Sequence, residues 1–222
     1  MRMRKKKWAD PYIAEHTEFA VQIPNEYKGR WKQLLQTNSL HVEIGMGKGD
    51  YLHHMAAANP DTGWVGIEKD HSAAAVALRK LVESTDYDGR NERIIVGDAE
   101  QITDWFGAGE IDVIHLNFSD PWPKTYTHKR RLSSKRFLER YRLLLSADGC
   151  IRMKTDNKGL FEDSVLYFLE NGFTFTEFSV DYRRNPHPED AITEYENRFM
   201  ELGQPIYQLC AKRQEAVYET AE

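Results

Sequence analysis

Four acidic residues stand where an apolar run gives way to a loop: Glu43, Glu68, Asp98 and Asp120. The first is followed at once by Gly45, Met46, Gly47, Lys48 and Gly49. Glycines at a strand-to-helix turn let a backbone approach a ligand closely, and the helix start offers free N–H groups. Spacing then decides the ligand. A phosphate-cradling loop would need glycine where Val42 stands and Ser or Thr where Gly49 stands, and a dinucleotide fingerprint would need glycine in place of Asp50. An acid there is a poor neighbour for a pyrophosphate. In an open α/β sheet, ligands sit outside the carboxyl ends of the strands near the topological switch point, so the four acids should converge on one crevice. That crevice suits a ligand with positive charge and ribose hydroxyls. S-adenosylmethionine, with its sulfonium, ammonium, ribose diol and adenine amine, fits. Asp98 has a second reading as the cap of the next helix, whereas an unpaired buried carboxylate at Glu43 would be costly without a guest.

A second constellation follows the fourth acidic strand end. Asn117-Phe118-Ser119-Asp120-Pro121-Trp122-Pro123-Lys124 runs on to His128, Lys129, Arg130 and Arg131. Two prolines around a tryptophan make a stiff turn with little entropy left to lose. An aromatic ring beside cations is the equipment for stacking a base and gripping phosphates. The alternative is a proline turn that closes a strand with Trp122 packed inward.

The elements that must position these residues are short and alternate in kind. Residues 40–45, 64–68, 92–97, 111–118 and 150–155 are rich in β-branched or aromatic side chains and predict strands. Residues 135–146 and 158–170 show helical apolar periodicity, the first with arginines on its opposite face. Apolar strands separated by amphipathic helices imply a parallel sheet covered on both faces, a doubly wound α/β domain. Two further strands, 173–182 and 206–212, alternate apolar with polar residues. Between them Asn185-Pro186-His187-Pro188 opens an excursion of about twenty residues to Pro205, read as an irregular functional loop. The organisation expected is an N-terminal extension with a basic tail (1–39), one domain (40–213) and a short C-terminal tail (214–222).

With 222 residues, 41% hydrophobic and 29% charged, the chain is long enough to fold around its own core, and wholesale disorder is excluded. The net charge of −5 hides a polarity. Residues 1–7 carry +5 and residues 124–142 carry +7, leaving −17 elsewhere, so a polyanion could dock on one side. No apolar run approaches a membrane span, and Trp8-Ala9-Asp10-Pro11 after the basic start is no signal-peptide core. Cys150 and Cys210, the only cysteines, fit a reducing cytoplasm and small buried packing roles. Adjacent His53 and His54 have no nearby cysteine to share a metal with, so no metal site is expected.

Taken together, Asp120 to Lys124 with His128 to Arg131, the Glu43 to Gly49 loop before them and Thr193-Glu194-Tyr195-Glu196 after them resemble the bacterial tRNA (guanine-N7-)-methyltransferases over residues 40–213. The resemblance implies a class I methyltransferase fold, a doubly wound, mostly parallel seven-stranded sheet. It implies S-adenosylmethionine contacts from Glu43, Gly45, Gly47, Gly49, Glu68, Asp98 and Asp120, with Asp120 catalytic. It also implies tRNA or guanine contacts from Lys124, Asp156, Thr193, Glu194, Tyr195 and Glu196. The substrate implied is a guanine in the tRNA variable loop, with phosphates held by Lys129, Arg130, Arg131 and the tail from Arg2 to Lys7, in a monomer or homodimer. Either Asp120 or Glu196 would read the guanine edge, with Asp156 assisting. Three other readings share parts of the pattern: a nicotinamide-dependent oxidoreductase, a methyltransferase for amino groups of DNA or protein, and a non-enzymatic RNA-binding module.

Overall fold

A computed structural model describes residues 4–214. Helix α1 (Ala9–Glu15) and the short α2 (Trp31–Leu35) precede strand β1 (Ser39–Ile44). Then come α3 (Asp50–Ala58), β2 (Thr62–Glu68), α4 (His71–Val82), β3 (Glu92–Val96), α5 (Ile102–Trp105) and β4 (Ile111–Asn117). The second half holds α6 (Lys135–Leu144), β5 (Leu145–Thr155), α7 (Lys158–Glu170), β6 (Phe173–Ser179), α8 (Glu194–Glu201) and β7 (Tyr207–Arg213). The seven strands lie in the order β3-β2-β1-β4-β5-β7-β6. β1 to β5 are parallel and β7 runs antiparallel to both its neighbours. This is the class I methyltransferase sheet. The chain winds outward from β1 to β3 and then restarts at β4, so the two halves part between β1 and β4, where a crevice must open at the strand tips.

Strand alternation gives the two faces different characters. Leu40, Val42 and Ile44 of β1 join Trp31, Trp105, Phe137, Tyr141 and Phe168 in the larger apolar core. On the other face Trp64 and Ile94 pack against Ala9, Ile13, Leu52 and Leu78 from α1, α3 and α4. Between β1, β4 and β5 that second face turns polar, because His41, Glu43, His115, Asn117 and Lys154 occupy its alternate positions in register. The N-terminal segment is part of this packing: Val21 N–H donates to Ile94 O at 2.9 Å, Trp31 is fully buried, and Trp31 Nε1–H donates to Trp105 O at 2.8 Å.

One expectation is corrected. The excursion after Asn185 holds a helix, α8, started by a capping box in which Thr193 Oγ1 accepts from Glu196 N–H at 2.9 Å and Glu196 Oε2 accepts from Thr193 N–H at 3.2 Å. Thr-x-x-Glu is itself the sequence signature of that motif; the prolines before it masked the helix. The tail beyond residue 214 and Arg2 lie outside the described residues.

Candidate active site

At the β1–β4 parting the strand tips frame a crevice of about 870 Å³. Its walls include Glu43, Gly45, Gly47, Glu68, Asp98 and Asp120, so the four strand-end acids do meet there. The loop after β1 can make this wall because Gly45, Gly47 and Gly49 have φ of +79°, +58° and +77°, values that cost a side-chain-bearing residue but not glycine. A Cβ at Gly49 would in addition lie 2.6 Å from His53 Nε2 and 2.8 Å from Ala77 Cβ. Gly49 thus packs the loop onto α3 and α4, while Gly45 and Gly47 line the crevice.

Each acid is held differently. Glu68 accepts from Gly47 N–H at 3.0 Å and from Asp70 N–H at 2.8 Å, so it braces the glycine loop while burial raises its pKa. Asp98 is exposed and caps the turn after β3 by accepting from Glu100 N–H at 3.0 Å; its capping and crevice positions coexist. Asp120 is exposed on the crevice wall, and its carboxylate takes no hydrogen bond from the described residues. Glu43 is the unusual one. The residue is 2% exposed, Oε1 accepts from Asn117 Nδ2 at 2.9 Å, and Oε2 has no partner among the described residues. Burial pushes its pKa up to about 7, against the Asn117 hydrogen bond and the Lys154 charge, which pull it down. A buried carboxylate oxygen left bare is a standing cost, and a cation with N–H donors entering the crevice would remove it.

The opposite wall comes from the strand-four turn and α8. Phe118 and Trp122 flank Asp120 with φ of +50° and +42°, conformations that bulky residues rarely adopt and that are held here by their surroundings. Phe118 N–H donates to Lys154 O at 2.8 Å, and its ring stacks on Phe199 of α8 at 6.4 Å. Trp122 lines the crevice, with the Arg130 guanidinium 5.0 Å above its ring. Thr193 and the half-exposed Tyr195 complete the rim.

Several sequence-predicted positions sit elsewhere. Arg131, expected on phosphate, is 3% exposed; it donates to Pro121 O at 2.7 Å and His128 Nε2 at 2.9 Å and pairs with Asp163 at 2.6 Å. It clamps the proline turn to α7 and has no free face for RNA. Glu196, expected to read a guanine edge, is fully buried, with Lys154 Nζ at 3.1 Å and Arg183 Nε at 2.5 Å. All its capacity is used inside the protein. Asp156 lies on the β5–α7 turn, half-buried and outside the crevice lining. Lys124 and Lys129 are exposed outside the crevice lining, which Arg130 joins. The side chain of Glu194 lies outside what is described.

The basic tail is partly placed. Lys6 N–H donates to Ser72 Oγ at 2.9 Å, and Lys5 and Lys6 line a second hollow of about 490 Å³ with Lys69 and His71. Lys69 and Asp70 belong to both hollows, so Lys5 and Lys6 stand next to the β2–α4 edge of the crevice. Two features were not foreseen: the bracing role of Asn117 on Glu43, and the buried charges beneath α8. The first was legible as an amide at a strand tip opposite an acid; the second depends on the distant pairing of β5 with β7.

Comparison with known proteins agrees with this geometry. A family described as "Putative methyltransferase" matches residues 37–209. The chain is 44% identical over 208 residues to a tRNA (guanine-N(7)-)-methyltransferase of Bacillus velezensis, covering 93% of this chain and 94% of that one. It is 42% identical over 208 residues to the enzyme of the same name from Bacillus subtilis, covering 93% and 96%. Among solved structures, an antibiotic-related methyltransferase superposes with a TM-score of 0.62 at 14% identity over 81% of this chain and 90% of that one. A 30S ribosomal A1408 methyltransferase from an uncultured bacterium gives 0.55 at 16% over 84% and 93%, likenesses of fold alone. A sheet parted at β1–β4, an acid-walled crevice and relatives this similar over nearly their whole length place the chain in the bacterial tRNA (guanine-N7-)-methyltransferase family.

Proposed function

We propose that the crevice holds S-adenosylmethionine with its cationic end toward Glu43 and presents its methyl group to N7 of a guanine in the tRNA variable loop. The observation that carries this reading is the bare, buried Oε2 of Glu43 at the floor of an acid-walled crevice. The residues fit the cofactor: Glu43 suits an ammonium, Glu68 retains lone pairs for a ribose diol beyond its two backbone bonds, and exposed Asp98 suits the adenine end. Bound there, S-adenosylmethionine supplies an electrophilic methyl group on a positively charged sulfur.

Guanine N7 has a lone pair and no proton, so the chain need not provide a general base. Its task is placement. Holding the reacting atoms about 3 to 3.5 Å apart in line supplies a large part of the rate. Positive charge arrives on the purine as the bond forms, and Asp120, unpaired and on the wall between the turn and the crevice, is positioned to stabilise it. The same carboxylate can accept from the guanine N1–H and 2-amino group. Adenine, with a lone pair at N1, would leave it repelled. Trp122 and Tyr195 give the rim flat surfaces for a base drawn out of the RNA stack. Lys124, Lys129, Arg130 and the tail lysines form the phosphate grip.

The test is incubation with labelled S-adenosylmethionine and unmodified tRNA, followed by nucleoside mass spectrometry. Label in 7-methylguanosine is the expected result. Label in a methylated amino group, or turnover of a nicotinamide cofactor instead, would defeat the reading.

A further inference from the structure

Beneath α8 four charges meet out of contact with water. Lys154 on β5, Arg183 on the turn after β6, Asp190 before α8 and Glu196 in its first turn have side chains between 0% and 7% exposed. Asp190 Oδ2 lies 2.6 Å from both Lys154 Nζ and Arg183 Nη2. Glu196 takes the second hydrogen bond from each cation, at 3.1 Å and 2.5 Å. Two positive and two negative groups therefore close a ring in which each acid bridges both bases.

The ring is tied to the donor side as well. Tyr51 of α3, which lines the crevice, donates its hydroxyl to Asp190 Oδ1 at 2.9 Å. The Tyr51 oxygen is in turn 3.2 Å from His115 Nδ1, and His115 Nε2 is 3.1 Å from His41 Nδ1. Burial lowers the pKa of both imidazoles, His41's to about 4, so each is neutral near pH 7 and passes one N–H along the chain toward Asp190. On its outer side the ring fixes the capping box of α8, and with it Thr193 and Tyr195 on the rim and Phe199 against Phe118, two residues from Asp120.

We propose that Asp190, with Lys154 and Arg183, is a positioning residue for the methyl acceptor. The ring sets α8 over the crevice and registers the rim that receives the base against the α3 wall that borders the donor. The idea rests on the tRNA reading above. A ring of four buried charges is an expensive way to hold one helix, since apolar residues would serve stability as well. What it offers is direction: every hydrogen bond fixes an angle.

Three full-chain variants test it. Asp190→Asn leaves an excess buried cation, and kcat/KM for tRNA should fall about 100-fold while the Kd for S-adenosylmethionine moves less than about threefold. Lys154→Met combined with Asp190→Asn restores charge balance. Its melting temperature should recover toward wild type, yet kcat/KM for tRNA should stay roughly tenfold or more down, with faster hydrogen exchange across residues 193–200. Recovery of tRNA turnover together with melting temperature would reduce the ring to a structural role, and donor affinity falling in step with turnover would do the same. Should the double variant fail to fold, Tyr51→Phe removes a single hydroxyl, and it should raise KM for tRNA several-fold; unchanged KM and kcat would overturn the proposal. A wild-type chain that makes no 7-methylguanosine would sink the tRNA reading, and exchange at 193–200 in the variants would still judge the ring.

Discussion

At the tips of β1 and β4, Glu43 keeps one carboxylate oxygen bare and Asp120 takes no hydrogen bond from the described residues. Under α8, Asp190 and Glu196 are each gripped by two cations. Both regions hold acids at or just beyond the strand tips, and each contains a buried carboxylate, Glu43 in one and Glu196 in the other. Only one of them is complete. The difference separates acids that hold the fold from acids that wait for a ligand, a distinction that residue type alone does not make. The same contrast divides the two adjacent arginines: Arg131 is buried in a clamp, and Arg130 is exposed over Trp122.

The largest effect should come from an acid in the incomplete region. Asp120→Asn keeps the shape and removes the charge, and single-turnover methylation should slow about 100-fold or more with donor binding still measurable by calorimetry. An unchanged rate would remove Asp120 from the chemistry. Next is the phosphate grip. About four phosphate contacts would make tRNA affinity fall roughly 50- to 150-fold between 50 and 200 mM salt. In filter binding, Arg130→Ala should lower the log–log slope by about 0.7 to 0.9 at unchanged melting temperature. Arg131→Ala should instead cost about 2 kcal/mol or more in urea unfolding, because Asp163 and Pro121 O lose a charged donor. A reversal of the two phenotypes would break the comparison.

A smaller effect marks a buried pair outside the crevice, His53 with Glu92, whose Oε2 is also buried with no partner among the described residues. His53 Nδ1 lies 2.6 Å from Glu92 Oε1 and Nε2 lies 3.0 Å from Ala77 O, so the charged imidazole would find an acceptor at each ring nitrogen. Burial opposes that charge, but the Glu92 hydrogen bond and charge outweigh it and raise the His53 pKa above 6.5. Because the folded pKa is the higher one, the stabilisation is complete below the unfolded value and is lost as pH rises through the folded value. Urea unfolding at pH 6 and pH 8 should show lower stability at pH 8. That decline should shrink in His53→Gln.

The crevice acids were legible in the sequence because each stands at the end of an apolar strand, and parallel strands deliver their carboxyl ends to one edge by topology alone. The glycine loop was legible because its spacing excludes phosphate ligands. Helix α8 could have been read from Thr193 and Glu196, but the prolines at 186 and 188 argued for a loop. The ring beneath it could not, since Lys154 meets Asp190 and Glu196 only after β7 returns antiparallel beside β5. Arg131 could not be told from Arg130 for a similar reason: which one turns inward is decided by Asp163 on α7.

The central claim is that Glu43's bare oxygen belongs to the cationic end of the donor. Calorimetric titration of S-adenosylmethionine at pH 6 and pH 8, in wild type and Glu43→Gln, tests it most directly. With the Glu43 pKa near 7, the binding-competent carboxylate is the minor form at pH 6, so wild-type Kd should be about tenfold tighter at pH 8, and the variant should bind weakly with no such change. A wild-type Kd that ignores pH, or a variant that binds as tightly as wild type, would contradict the claim.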